Sequence, residues 1–192
     1  MRGLKEGEDG LLRPVILTHT GRATTAEQEA SHGKWWMYSG FKKRCELYNL
    51  DLAVLDPEAQ SQAAATGHAL IVEGCFDVAK LYAAGIRNVV ATFGAHLSEE
   101  QLPRFALLAE RLHLQRFLLW YDRDQAGTDP ERQGFRQAGE ALQGAGFEVE
   151  VFDWSRRFLS PQRGPVAISG AIGDPCDFTV AQLGWLRDQG VI

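Results

Sequence analysis

The C-terminal two-thirds of the sequence alternates short apolar runs with longer segments of helical periodicity, and this alternation limits the possible folds more than any other feature. Four runs are typical of strands: HALIVEG, RNVVATFG, RFLLWYD and FEVEVFDW. The first is a short apolar run that suits a buried strand, and the last alternates apolar with polar residues. The segments between and after them place apolar residues at helical spacing and glycines where helices end. Strands that alternate with helices predict crossover connections. We therefore expect an α/β fold with a parallel sheet of about four strands and helices on both faces.

Residues 1–65 follow a different pattern, with polar breaks and clusters of aromatic side chains. The stretch DPEAQSQAAATG is polar and rich in small residues, and we interpret it as a linker. This division predicts a small N-terminal subdomain of basic and aromatic character over residues 1–65. The α/β domain then occupies residues 66–192.

Composition narrows the class of protein. A chain of 192 residues with 45% hydrophobic and 23% charged residues is typical of a folded globular protein. No apolar run approaches the roughly 18–20 residues of a membrane span, and the N-terminus lacks the apolar core of a signal peptide. We therefore expect a cytoplasmic protein with no membrane partner. The three cysteines and five histidines are scattered, which argues against disulfides and against a zinc site.

The net charge of −5 is unevenly distributed. Lys and Arg outnumber Asp and Glu in the first fifty residues, whereas the remainder of the chain is acidic. If several of those acids form one metal-bound cluster, the rest of the protein is close to neutral. Net charge therefore does not exclude a nucleic-acid partner.

Acidic residues lie at the predicted ends of strands or in the loops beyond them. The six candidates are Glu73, Asp77, Asp122, Asp124, Asp174 and Asp177. Taken singly, such acids also occur on solvated loops and in turns. Because ligands bind outside the carboxyl ends of strands in open parallel sheets, we expect these carboxylates to share one pocket. Clustered carboxylates repel one another, and Mg²⁺ takes oxygen ligands, so the pattern predicts a site for Mg²⁺, with Mn²⁺ as a substitute and without zinc.

The segment KWWMYSGFKKR combines cations with aromatic side chains. Cations beside stacking surfaces are typical of proteins that bind single-stranded nucleic acid. We expect Lys42, Lys43 and Arg44 to contact phosphate groups. For the aromatic residues an alternative is open, in which Trp36 and Tyr38 point inward and pack on the sheet.

These motifs resemble the Toprim domain of bacterial primases, topoisomerases and several nucleases, which has a Rossmann-like parallel sheet. VEGCFDVAKLYAAGIRNVVATFG is most similar to the version in bacterial replicative primases, and YDRDQAG is similar to its DGDxAG segment. GDPCDF is similar to its later acid pair, DPD or DxxD, and GKWWMYSGFKKRCELYNLDLA to a primase core segment upstream. The resemblance covers most of residues 15–185.

The resemblance implies roles for the acidic residues. Glu73, Asp122 and Asp124 are implied as catalytic residues, with Glu73 acting as general acid or base or as a metal ligand. The implied metal ligands are Glu73, Asp77, Asp122, Asp124, Asp174 and Asp177.

The resemblance also implies contacts between basic residues and the nucleotide or template. Lys34 and Lys43 match basic positions of the primase segment, and Arg22 lies in HTGRA, which resembles an arginine-bearing segment before it. Arg123 stands where the primase pattern has glycine, so its side chain would contact phosphate or crowd the metal.

Three functions are compatible with this sequence. The leading hypothesis is a primase-like protein of DNA replication that performs Mg²⁺-dependent nucleotidyl transfer with single-stranded nucleic acid and nucleoside triphosphates. The first alternative is a Toprim nuclease, and the second is a non-catalytic, metal-dependent nucleic-acid-binding subunit of a larger complex. We expect the chain to lack the zinc-binding and helicase-binding domains, so that a protein partner would supply missing primase or helicase functions.

Overall fold

The computed structural model describes residues 1–33, 35–123, 134–154, 157–160, 164–167 and 172–192. Its strands are β1 (Arg2–Glu6), β2 (Leu12–Ile16), β3 (Thr20–Arg22), β4 (Trp35–Met37), β5 (His68–Val72), β6 (Val89–Ala91), β7 (Arg116–Leu119), β8 (Glu148–Val151), β9 (Arg157–Ser160) and β10 (Gly164–Ala167). Its α-helices are α1 (Ala26–His32), α2 (Leu50–Leu55), α3 (Pro57–Thr66), α4 (Cys75–Ala83), α5 (Leu102–Leu112), α6 (Gly134–Gly144) and α7 (Val180–Asp188). None of these helices is long and apolar enough to cross a membrane.

The central sheet has four parallel strands in the order β6-β5-β7-β8. Side chains alternate between the two faces of a strand, so Ala69 and Ile71 of β5 join a core with α2, α3, α5 and α6. Leu70 and Val72 join the opposite core with α4 and α7. Both faces are covered by helices, which confirms the predicted fold class.

An aromatic cluster fixes the C-terminal segment against the end of the sheet. Trp120, directly after β7, stacks on Phe152 with ring centroids 4.2 Å apart and meets Phe178 edge-on at 5.4 Å. All three side chains are buried, and aromatic pairs of this geometry contribute about 0.5–1.5 kcal/mol beyond burial. The turn immediately before Phe178 is therefore held next to the carboxyl end of β7.

The stretch interpreted as a linker is the helix α3, so that interpretation was wrong. Asp56 caps the helix by accepting a hydrogen bond from the backbone amide of Glu58 at 2.9 Å, and Pro57 occupies the first turn. Ala59 and Ala63 are completely buried. Small alanine side chains let this helix pack closely, and they made its buried face hard to recognise in the sequence.

The segment before α2 joins the edge of the sheet at β6. Tyr48 and Ala91 exchange two backbone hydrogen bonds of 2.9 and 3.1 Å. Asn49 adopts a left-handed conformation with φ 69°, and its side chain donates to the carbonyl of Val89 at 2.9 Å and to the hydroxyl of Tyr82 at 3.1 Å. Helices α2 and α3 thus share a core with the sheet, and the division at residue 65 remains a prediction.

We predict that Asn49→Ala lowers the free energy of unfolding by about 1–3 kcal/mol. The substitution leaves the buried Val89 carbonyl without its side-chain donor and places alanine at a positive φ. Chemical denaturation measures the loss, and Gln143→Ala on the exposed side of α6 serves as the control. Equal stabilities of the two variants would contradict this role for Asn49.

Candidate functional site

The carboxyl ends of the neighbouring strands β5 and β7 bring two predicted acids together. Glu73 follows β5 directly, and Asp122 lies just beyond β7. The backbone amide of Asp122 donates a hydrogen bond to Oε1 of Glu73 at 3.1 Å. This contact spans 49 residues of sequence, and it exists because parallel strands end at the same edge of the sheet.

Asp77, in the first turn of α4, is buried beside these acids with 7% of its surface exposed. Its Oδ2 accepts a hydrogen bond from the amide of Gly74 at 2.8 Å, and its Oδ1 accepts one from the Cys176 thiol at 3.2 Å. Burial raises the pKa of Asp77, and the nearby carboxylates of Asp174 and Asp177 raise it further against the opposing effect of these hydrogen bonds. Burial and the neighbouring carboxylates therefore destabilise the ionised form of Asp77.

Asp174 and Asp177 form a reciprocal capping box around a short 3₁₀ helix, Pro175–Asp177. Oδ1 of Asp174 accepts from the amide of Asp177 at 3.1 Å. Oδ2 of Asp177 accepts from the amides of Gly173 at 2.7 Å and Asp174 at 3.3 Å. The carboxylate of Asp177 thus stabilises the turn, and a direct role for it as a metal ligand remains a prediction.

A cavity of about 420 Å³ opens at this edge of the sheet. Four of the predicted acids and two of the predicted cations line it: Glu73, Asp77, Asp122, Asp174, Arg22 and Lys43. The residues that line it do not include Asp177, Lys42, Arg44 or Arg123. The fold therefore combines carboxylates from the sheet with cations from the N-terminal segment at one place.

Three side chains of this cavity are close enough to share a metal ion. One carboxylate oxygen each from Asp77 and Asp174 and the Sγ atom of Cys176 all lie within 4.8 Å of one another. The donors fit a divalent cation, because a positive charge would offset the burial and mutual repulsion of these carboxylates.

Cys176 was not among the residues that the sequence predicted for this site. A signal for it was present, since the resemblance of GDPCDF to DPD places Cys176 at the second acidic position.

Three other predicted basic residues do not line this cavity. Lys42 lines a separate cavity with Tyr38 and Phe41, and the guanidinium of Arg44 forms an ion pair with Glu100 at 3.3 Å. Arg123 is exposed. Contacts of these three cations with phosphate remain predictions.

Two aromatic residues of the N-terminal segment face solvent. Trp36 and Tyr38 are 51% and 63% exposed, so the alternative in which they pack on the sheet was wrong. Their exposed rings are available for stacking. Two other predicted site residues, Lys34 and Asp124, lie outside the described residues.

The loop after β6 forms another wall of the cavity that the sequence did not indicate. Phe93 has a positive φ of 65°, and its ring meets those of Phe41 and Tyr48 edge-on at 5.8 and 6.2 Å. The amide of Gly94 donates to the carbonyl of Glu73 at 2.9 Å. The strained loop is therefore fixed by the strand end and by the N-terminal segment together.

Comparison with known proteins finds similarity to one family model and to DNA primases. Residues 67–152 match the Toprim domain. The DNA primase of Lactococcus lactis is 35% identical over 101 residues, which cover 53% of this chain and 14% of that protein. This chain thus spans a small part of the relative that it matches.

Solved structures agree in fold. The zinc-binding and RNA polymerase domains of Aquifex aeolicus primase superimpose with a TM-score of 0.63 at 24% identity, covering 98% of this chain and 43% of that one. A DNA primase domain from Pseudomonas aeruginosa gives 0.53 at 27% identity, covering 78% and 47%.

We predict that Asp77→Asn raises the melting temperature of the metal-free protein at pH 7. The pKa of Asp77 is raised in the folded state, so its ionisation destabilises the fold above that pKa and has no effect below the unfolded value of about 4. The gain should therefore vanish in acid, and each kcal/mol corresponds to about 2–4 °C. Thermal denaturation with a chelator measures it.

The matched control is Glu8→Gln, which removes an exposed carboxylate that does not line the cavity. It should leave the melting temperature unchanged at both pH values. A lower melting temperature for Asp77→Asn at pH 7 would show that the carboxylate is not strained.

Proposed function

From the premise that residues 67–152 form a Toprim domain related in sequence to DNA primases, we propose that this chain performs Mg²⁺-dependent nucleotidyl transfer on a single-stranded nucleic-acid template. The substrates are nucleoside triphosphates, and the process served is DNA replication. A partner protein would supply further primase or helicase functions.

One observation carries this proposal: carboxylates and cations from separate parts of the chain line the same cavity. Glu73, Asp122 and Asp174 offer oxygen atoms to a divalent cation, whereas Arg22 and Lys43 offer positive charge to phosphate groups. A site that binds only a metal has no need of those cations. Their juxtaposition supports a substrate that brings its own phosphates to the metal.

Mg²⁺ bound there would polarise the phosphoryl group and favour ionisation of the attacking hydroxyl. The residues of the chain have separate tasks around it. Asp77, Asp122 and Asp174 would hold the cation, together with Asp124. Glu73, oriented by the amide of Asp122, would accept a proton from the hydroxyl or complete the ligand set.

The N-terminal segment would hold the template and the nucleotide. Arg22 lies 4.9 Å above the ring of Phe76 at the cavity wall, where its guanidinium is positioned to meet a phosphate. The exposed rings of Trp36 and Tyr38 provide surfaces on which bases stack, an interaction worth about 1–3 kcal/mol per base. Lys34 and Lys42 extend the same basic segment along the sequence.

We predict that Glu73→Gln and Asp122→Asn each lower primer synthesis by about 10²-fold or more. The first removes a catalytic acid or base, and the second removes a ligand of the cation. The assay follows incorporation of labelled nucleotides on single-stranded DNA with Mg²⁺ or Mn²⁺, resolved on a gel. Glu8→Gln is the control and should retain full activity.

The same gel separates the alternatives. Cleavage of the template that depends on Glu73 would replace the proposal with a nuclease. Binding of the template without synthesis or cleavage would indicate a non-catalytic subunit. Unchanged synthesis by both variants would remove these acids from the catalytic site.

We predict that Arg22→Ala and Lys43→Ala each make the salt dependence of single-strand binding less steep. Each phosphate contact contributes about −0.7 to the slope of log K against log salt for single strands, and each variant should lose about one such contact. Fluorescence anisotropy over a range of salt concentrations measures the slope. Lys5→Ala, on the exposed side of β1, is the control, and a slope unaltered in both variants would dismiss the phosphate role.

A further inference from the structure

We propose that Cys176 is a metal ligand of this cavity, and that the cavity therefore favours thiophilic divalent cations such as Co²⁺, Zn²⁺ and Cd²⁺ over Mg²⁺ more than a purely carboxylate site would. The proposal rests on the metal site of the proposed function and deepens it. It assigns the third donor of the cluster to sulfur, where the acidic motif in the sequence predicts oxygen.

The geometry places the sulfur among the carboxylates. Sγ of Cys176 lies 3.2 Å from Oδ1 of Asp77 and within 4.8 Å of a carboxylate oxygen of Asp174. All three residues line the same cavity. These donors come from two different parts of the chain and already lie close enough together to share one ion.

The backbone that carries Cys176 is held firmly. Pro175 begins the short 3₁₀ helix, the reciprocal cap of Asp174 and Asp177 closes it, and buried Phe178 follows in the aromatic cluster at the end of β7. A ligand on such a turn is already oriented, so little conformational entropy is lost when it binds.

Asp177 shows why sulfur and not the second carboxylate takes this position. Its Oδ2 accepts hydrogen bonds from the amides of Gly173 and Asp174, and the residue is not among those lining the cavity. The turn therefore uses the Asp177 carboxylate to stabilise itself and directs the Cys176 side chain toward Asp77.

Ligand chemistry gives the expected preference. Mg²⁺ is a hard cation that takes oxygen ligands, whereas thiolates select softer cations such as Zn²⁺. Binding through Cys176 requires the thiol to lose the proton that it donates to Asp77. This proton passes to solvent as the metal enters. One thiolate with two carboxylates is thus a mixed set that suits Co²⁺, Zn²⁺ or Cd²⁺.

Cobalt absorption tests the assignment directly, because a thiolate bound to Co²⁺ gives a charge-transfer band in the near ultraviolet. The full chain, free of affinity tags and kept reduced, is titrated with Co²⁺. We expect the band in the wild-type protein and in Cys75→Ser, and its loss in Cys176→Ser. Cys75 is a matched control because it lines the same cavity but lies outside the cluster of three donors.

A second variant keeps the test decisive if Cys176→Ser does not fold. Cys176→Asp restores an all-oxygen donor set, and calorimetric titration should show the ratio of Cd²⁺ to Mg²⁺ affinity falling by roughly tenfold or more. An unchanged ratio would overturn the proposal. So would a wild-type protein without the cobalt band, or a band that persists in Cys176→Ser.

Melting temperatures distinguish this failure from failure of the proposed function. If Mg²⁺ and Mn²⁺ stabilise the wild-type protein but no thiolate band forms, the carboxylate site stands and only the role of Cys176 is lost. If no divalent cation binds or changes the melting temperature, both the metal site and this inference fail.

Discussion

Mutual repulsion among carboxylates held at one end of a parallel sheet is the constraint on which the rest of this structure depends. Backbone amides restrain the acids before any cation enters: Asp122 donates to Glu73, Gly74 to Asp77, and Asp177 to Asp174. Hydrogen bonds to a charged group contribute about 1.5–3 kcal/mol each. The charges are thereby tolerated and oriented, but burial still raises the pKa of Asp77, and a cation would relieve that remaining cost.

The positions of the cations in this cavity depend on how the N-terminal segment contacts the sheet. Arg22 and Lys43 belong to a segment that reaches the sheet through the paired backbones of Tyr48 and Ala91 and through the side chain of Asn49. Leu4 and Leu47, on either side of this segment in the sequence, belong to the core that includes the central sheet, and Arg22 and Lys43 line the same cavity as the carboxylates. In the proposed function, such preorganisation would place phosphate beside a metal without a large ordering cost.

Cys176 lies in a turn that carries two acidic residues, Asp174 and Asp177. The turn that carries it is built in the way an acidic pair would require, with a capping Asp174 and a supporting Asp177. A thiol nevertheless occupies the position that donates a hydrogen bond to Oδ1 of Asp77. Sulfur in place of oxygen at that position would change which cation the site prefers and would leave the carboxylates in place. Metal preference would then vary without a change of fold.

Much of the fold followed from local patterns. The apolar runs specified β5, β6 and β7, because strands buried on both faces need nearly continuous apolar residues. The alternating run FEVEVFDW marked β8, which is mostly exposed. The convergence of Glu73 and Asp122 was also foreseeable, since parallel strands direct their carboxyl ends to one edge.

Other features depended on contacts distant in sequence. The residues of α3 form no obvious apolar face. The burial of this helix depends on how closely its alanine side chains approach the sheet. The exposure of Trp36 and Tyr38 depends on where their segment lies relative to the central sheet. The sequence by itself thus determined the sheet and the acids at its edge. Tertiary structure decided that Cys176 and not Asp177 meets Asp77, because the direction of a side chain on a turn is set by what the turn packs against.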